Sequence, residues 1–160
     1  MKGWFTKNFV RTKRLQLIFP EVKKDWRIAD LGCGDGWLTN ALNKAGYNCK
    51  GIKWLKYPMP YPDNYFDCSI MIEVVEHLSS RFLYEIERIT RKKIILTTIL
   101  PNSLLICRIL IALKIIMPLG TKHKKEYKLA EIPFKKFKLV KKSSHWVIDQ
   151  FGVFERVKKD

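Results

Sequence analysis

Between residues 26 and 100 the chain alternates short, unbroken apolar runs with amphipathic stretches. The runs WRIADL (26–31), NCKGIKW (48–54), YFDCSIMIEVV (65–75) and KKIILTTIL (92–100) have strand length, and the last is rich in β-branched residues. WLTNALNKAG (37–46) predicts a helix stopped by Gly46, and SSRFLYEIERITR (79–91) a helix capped by Ser79 or Ser80. YPMPYPDN (57–64) holds three prolines and predicts an irregular loop. Ahead of these lies a basic leading section, 1–24. Within it Phe9, Val10, Leu15, Leu17, Ile18 and Phe19 punctuate a short helix over 7–19 that Pro20 ends.

Strands alternating with helices imply a parallel sheet wrapped by helices. The last third breaks that rhythm. FKLVKKSSHWVI (137–148) and FGVFERVK (151–158) are strand-like, with only Asp149 and Gln150 between them, the spacing of an antiparallel hairpin. The apolar run LLICRILIALKIIMPL (104–119) is interrupted by Arg108 and Lys114 and falls short of the roughly 20 residues that span a bilayer. On a helix those two cations lie about 120° apart, with Ser103 near Lys114. The segment 101–122 then reads as a helix with one polar side: a lid over an apolar substrate, a helix resting on a membrane surface, or one buried against the sheet or a partner subunit.

A chain of 160 residues, 47% of them hydrophobic, suits one domain with one core over 1–160. Its 31 Lys and Arg against 15 Asp and Glu leave a formal charge of +16. That balance suggests a polyanionic partner, whether RNA, an anionic membrane surface or an acidic substrate; a surface of solvated lysines is the plainer account. Cys33, Cys49, Cys68 and Cys107 form no CxxC pair and no zinc-like cluster with the histidines, so no metal is expected. Free cysteines within apolar runs fit a reduced, cytoplasmic setting, with the apolar segment leaving a membrane-peripheral location open. The N-terminus has no continuous apolar stretch of the secretory kind.

Two stretches carry candidate chemistry. In DLGCGDG (30–36) the spacing is G-x-G-x-G, at Gly32, Gly34 and Gly36, not the dinucleotide fingerprint G-x-G-x-x-G. Glycines there allow a sharp turn and a close ligand approach, and Asp30 ends the preceding strand where it can accept from a ligand ammonium. The second stretch, PMPYPDNYFDCSIMIEVVEHL (58–78), carries Glu73, Glu76 and His77 at the end of its strand. In open α/β sheets ligands sit at the carboxyl ends of strands; capping of a local helix start is the alternative use for Glu76 and His77.

ADLGCGDGWLTNAL followed by PYPDNYFDCSIMIEVVEHL resembles the class I S-adenosylmethionine-dependent methyltransferases, in particular the small-molecule branch with an LPFPDNSFD…VLEHL pattern. TTILPN resembles that family's fourth-motif strand and HKKEYKLAEI its H-x-x-E-[FY] helix start. The resemblance spans most of 26–134. It implies an α/β, Rossmann-like methyltransferase sheet, mostly parallel, with a C-terminal antiparallel hairpin. It also implies S-adenosylmethionine as cofactor, with Asp30, Gly32, Cys33, Gly34 and Gly36 around its methionine part. Ile72 and Glu73 would line the pocket near the reactive methyl and His123 would face the substrate. Glu73, His77 and His123 are the candidate bases.

The chain departs from that family at one residue and over one segment. Lys53 stands where the family has an acid that accepts from both ribose hydroxyls, and an ammonium can only donate. Only LKY then separates Trp54 from the proline loop, too short for the family's next helix and strand. The sheet is therefore expected to lack one edge strand and its helix. Trp54 and Tyr57 are left either to stack on an adenine or simply to pack. Two functions follow: a methyltransferase acting on a small, lipid-like or anionic substrate, or a catalytically impaired relative that binds RNA, a membrane surface or a protein partner. An exposed sheet edge also makes a homodimer an option.

Overall fold

The computed structural model describes residues 2–99, 128–145 and 149–158. The apolar segment 101–122, Cys107 and His123 lie outside the described residues.

The leading helix α1 spans Lys2–Ile18, longer at its start than the 7–19 expected, and Pro20 closes it through one short 3-10 turn. Then come β1 (Arg27–Leu31), α2 (Trp37–Lys44), β2 (Asn48–Ile52), β3 (Phe66–Ile72), α3 (Ser80–Ile89), β4 (Thr90–Ile99), β5 (Phe137–His145) and β6 (Asp149–Arg156). The six strands form one sheet in the order β2-β1-β3-β4-β6-β5. The pairs β1–β2, β1–β3 and β3–β4 are parallel; β4–β6 and β5–β6 are antiparallel. Among the described residues β2 is an edge strand, so the short connection after Trp54 has the topological effect expected of it.

Both faces of the sheet are covered, and alternate residues of each strand feed two cores. Ile28, Ile70, Ile95 and Val153 pack with Ile18 of α1 and with Leu38 and Leu42 of α2. Leu31, Met71, Ile94, Leu96 and Phe154 pack on the other face with Leu83, Ile86 and Ile89 of α3. This two-sided burial is why the β3 and β4 sequences read as continuous apolar runs. Leu42 is completely buried, and truncating such a side chain costs about 2–5 kcal/mol.

Several boundaries differ from those expected, each for a local reason. The 65–75 run does not stay extended: Glu73 takes a left-handed φ of 55° and Val75–His77 form a 3-10 turn. Thr90 and Arg91 leave the expected helix and start β4, so α3 passes into the strand without a loop. Arg156 fixes this junction by donating to the carbonyls of Glu87, Thr90 and Arg91. Asp149 and Gln150 are not the hairpin turn; they open β6, paired with His145 and Ser144 of β5. Lys53 and Trp54 fall outside β2.

The proline loop is irregular, as its composition requires, but it is firmly held. Arg88 donates to the carbonyls of Met59 (3.1 Å) and Tyr61 (2.8 Å) and to Asp63 (2.9 Å). Glu85 accepts from the Met59 amide at 2.7 Å. Among the described residues no helix is long and apolar enough to cross a membrane, and no group of His, Cys, Asp and Glu is arranged to hold a metal ion.

Candidate functional site

The turn between β1 and α2 is built from left-handed backbone. Gly32, Gly34 and Gly36 have φ of 71°, 55° and 76°, where an L side chain is strained. Their surroundings differ. A Cβ on Gly32 would lie 2.7 Å from Val74 Cγ2, so this glycine is also needed for packing against the segment after β3. A Cβ on Gly34 would meet nothing within 4 Å; this part of the turn faces open space. The turn is tied to β2, because the carbonyl of Ile52 accepts from the amides of Gly32 (2.7 Å) and Cys33 (3.3 Å).

Asp30 is only 2% exposed, and its Oδ2 accepts from the Thr39 hydroxyl (2.7 Å) and the Thr39 amide (3.2 Å). One oxygen of this acid therefore locks the first turns of α2 onto β1. Burial pushes the Asp30 carboxyl up, against the two Thr39 hydrogen bonds. Burial also raises the Cys33 thiol, Asp30 adds to that shift, and the nearby Lys53 ammonium opposes it.

Lys53 is exposed, its amine 5.9 Å from the ring centroid of Trp54, which is itself 77% exposed. Tyr57 is exposed too, at the edge of the Phe82 ring with Arg81 over its face. Lys53 and Trp54 directly follow the β2 edge strand, whereas Tyr57 packs against α3.

At the end of β3, half-buried Ile72 leads into Glu73, whose amide donates to the Thr97 carbonyl (3.1 Å) and Thr97 Oγ1 (3.2 Å). Those bonds hold the unusual backbone of Glu73. Its side chain is committed to Arg14 of α1. Arg14 is 8% exposed and also donates to Asp149 Oδ2 at 2.6 Å. Burial works against the Arg14 charge, and Glu73 and Asp149 more than offset it, so its pKa lies above the ordinary value. One turn earlier in α1, Arg11 pairs with Asp35 of the glycine turn at 2.5 Å and lies over the Trp37 ring. By these contacts α1 spans the carboxyl ends of β1 and β3 and the start of β6.

Glu76 is 1% exposed; burial, reinforced by the charges of Glu73 and Asp149, lifts its carboxyl to about 7. His77 is half-buried beside it, its amide bonded to the Val74 carbonyl at 3.0 Å.

Asp30, the glycine turn with Cys33, Lys53, Ile72, Glu73 and His77 thus all border the carboxyl end of the parallel strands. His123 is outside the described residues. Sequence reasoning missed Arg14 and Asp149. The signal for Arg14 was present: it falls four residues before Ile18, on the apolar face of its helix. Asp149 was hidden because its segment looked like a turn.

The sequence matches no family model and no curated protein. Solved structures share its fold. A protein from Pyrococcus horikoshii aligns with a TM-score of 0.67 at 15% identity, over 94% of this chain and 91% of that one. A SAM-dependent methyltransferase from Archaeoglobus fulgidus aligns with a TM-score of 0.61 at 17% identity, over 92% and 93% of the two chains. The 1,6-didemethyltoxoflavin-N1-methyltransferase of Burkholderia thailandensis, solved with 1,6-didemethyltoxoflavin and S-adenosylhomocysteine, aligns with a TM-score of 0.59 at 11% identity, over 83% and 72%. The chain therefore has the Rossmann-like fold found in S-adenosylmethionine-dependent methyltransferases. The likeness is one of fold.

Proposed function

We propose that the carboxyl end of this sheet binds S-adenosylmethionine and that the protein passes the cofactor's methyl group to a small, lipid-like or anionic acceptor. The observation that carries this reading is the glycine turn: three left-handed residues in five positions, with open space at Gly34. A plain strand-to-helix turn does not need that opening. When bound, the cofactor supplies an electrophilic methyl on a cationic sulfur. Among the described residues, Gly32–Gly36 and Ile72 suit its methionine half, with the carboxylate of Asp30 favouring the positive charge.

Within this reading Glu73 and Glu76 part ways. Glu73 is held by Arg14 and serves to seat α1 beside the site. Glu76, lifted to about 7 by burial, can hold or release a proton near neutral pH. His77 and His123 remain acceptor-side candidates, with the segment 101–122 as their cover.

A second reading has its own support. Lys53 is a solvent-exposed donor where ribose needs an acceptor, and β2 has no described strand beyond it. On this reading the protein is a binding module that no longer catalyses. Calorimetric titration with S-adenosylmethionine and S-adenosylhomocysteine separates the two. Heat with both is expected. None at millimolar ligand, in folded protein, would sink the enzyme reading. Lys53→Asp is expected to tighten binding by restoring the acceptor; weakened binding would mean the ammonium itself contributes.

A further inference from the structure

The end of the sheet opposite the glycine turn carries a groove of about 950 Å³. It is walled by the residues before β1, the first residues of β4, the approach to β5 and the end of β6. Eight of its eleven lining residues are Lys or Arg, and Glu155 is its one acid. Two acids behind the wall, buried Asp67 and half-buried Glu21, neutralise part of that charge. Asp67 pairs with Arg91 and Lys92, and Glu21 with Lys93. Lys23, Lys135, Lys136 and Lys158 have no carboxylate within salt-bridge distance among the described residues, so a cluster of uncompensated ammonium groups lines a concavity. Tyr84 of α3 is not one of the lining residues, but it is 46% exposed and touches the groove through Lys135, whose amine lies 5.0 Å over its ring.

From this geometry we infer that the amino end of the sheet is a binding groove for single-stranded nucleic acid, separate from the carboxyl-end site and independent of the activity proposed there. A basic groove that follows a phosphate backbone, with an aromatic face for a base, is how sequence-tolerant single-strand binding is built. Pockets of about 300–1,000 Å³ enclose drug-sized ligands, so this one takes two or three nucleotides of a single strand. A bilayer suits the groove less well. Membrane surfaces reward a flat or convex basic face with apolar side chains to insert. Here the apolar lining is Val157 and Trp26, and Trp26 is only 8% exposed. β3 and β4 are 7 and 10 residues long, which separates the two ends by about 20–30 Å. A strand in the groove is therefore docked and positioned there, away from the chemistry.

The test is fluorescence anisotropy with a labelled oligouridylate of about 16 nucleotides, on the full chain, over a range of salt. One variant carries Lys135→Glu, Lys136→Glu and Lys158→Glu. A control carries the same charge change elsewhere: Lys44→Glu, Lys50→Glu and Lys56→Glu. All six lysines are exposed, so both variants are expected to melt like the parent. The groove variant should bind at least about tenfold more weakly, and its log–log salt slope should shrink by about two, near 0.7 per lost phosphate contact. The control should stay within about threefold of the parent. Tyr84→Ala should weaken binding about fivefold or more. Equal losses in both triple variants would show that net charge, not the groove, governs binding and would overturn the inference. So would salt-independent binding, or binding to vesicles containing phosphatidylserine with none to the oligonucleotide.

Discussion

Two carboxylates near opposite ends of one strand report opposite environments. Asp67, at the start of β3, is pushed up by burial, but hydrogen bonds from Arg91, the Arg27 amide and Lys92 bring it down to about 2. Glu76, just past the end of β3, is lifted to about 7 by burial with acids for neighbours. Among the described residues the amino end of the sheet is cation-rich and holds Asp67 and Glu21 ionised. The carboxyl end gathers five acids, Asp30, Asp35, Glu73, Glu76 and Asp149, around Arg11, Arg14 and Lys53. The net +16 is therefore not spread evenly. A cationic cofactor at the carboxyl end need not face the basic surface that the overall charge suggests.

The most damaging way to break this contrast is to remove Arg14. Arg14→Met would leave Glu73 and buried Asp149 without their guanidinium, an expected loss of about 3–5 kcal/mol in urea unfolding. Adding Asp149→Asn should recover part of it. If the single variant melts like the parent, Arg14 does not hold the carboxyl end together.

The two carboxylates then give pH effects of opposite sign. Glu76 has its folded pKa raised, so its stabilising contribution is present below about pH 4.5 and fades as pH rises through about 7. Glu76→Gln should therefore gain on the parent over that window, by on the order of 2–3 kcal/mol at pH 8. Asp67 has its folded pKa lowered, so its contribution is present above about pH 3.8 and is lost as pH falls through about 2. Asp67→Asn should cost about 2 kcal/mol at pH 7 and little at pH 2. Denaturant melts of both variants across pH would show whether the two curves diverge in these directions.

Smaller effects separate packing from openness within the glycine turn. Gly34→Ala should cost about 1–2 kcal/mol from backbone strain alone. Gly32→Ala should cost more, because the added methyl also meets Val74. Equal losses would mean that the crowding at Gly32 relaxes freely. Near the bottom of the scale, Lys158→Glu in the basic groove should change stability by no more than about 0.5 kcal/mol.

Much of this fold was readable from residue patterns. Apolar runs of strand length, glycines between the first strand and helix, and prolines after Trp54 pointed to the sheet and to β2 as an edge among the described strands. What patterns could not give were boundaries set by tertiary contacts. Thr90 joins a strand because Arg156, 66 residues later, holds its carbonyl. Asp149 joins β6 because β4 and β5 pair with it on both sides. The site divided along the same line. The glycine turn and the end of β3 lie in contiguous motifs, so a local pattern can nominate them as candidates. The Arg14 bridge needs partners 59 and 135 residues away in sequence, which no local pattern encodes.

That bridge also bears on how the molecule is made. Arg14 leaves the ribosome long before Asp149, which follows 135 residues later. At about 5–20 residues per second, the delay is roughly 7–27 seconds. Over that interval the leading helix has emerged but cannot take its final seat. Its docking therefore waits for β6, although its own residues are made before those of the sheet. A chain cut short before Asp149 would lose the seat of α1 as well as β6.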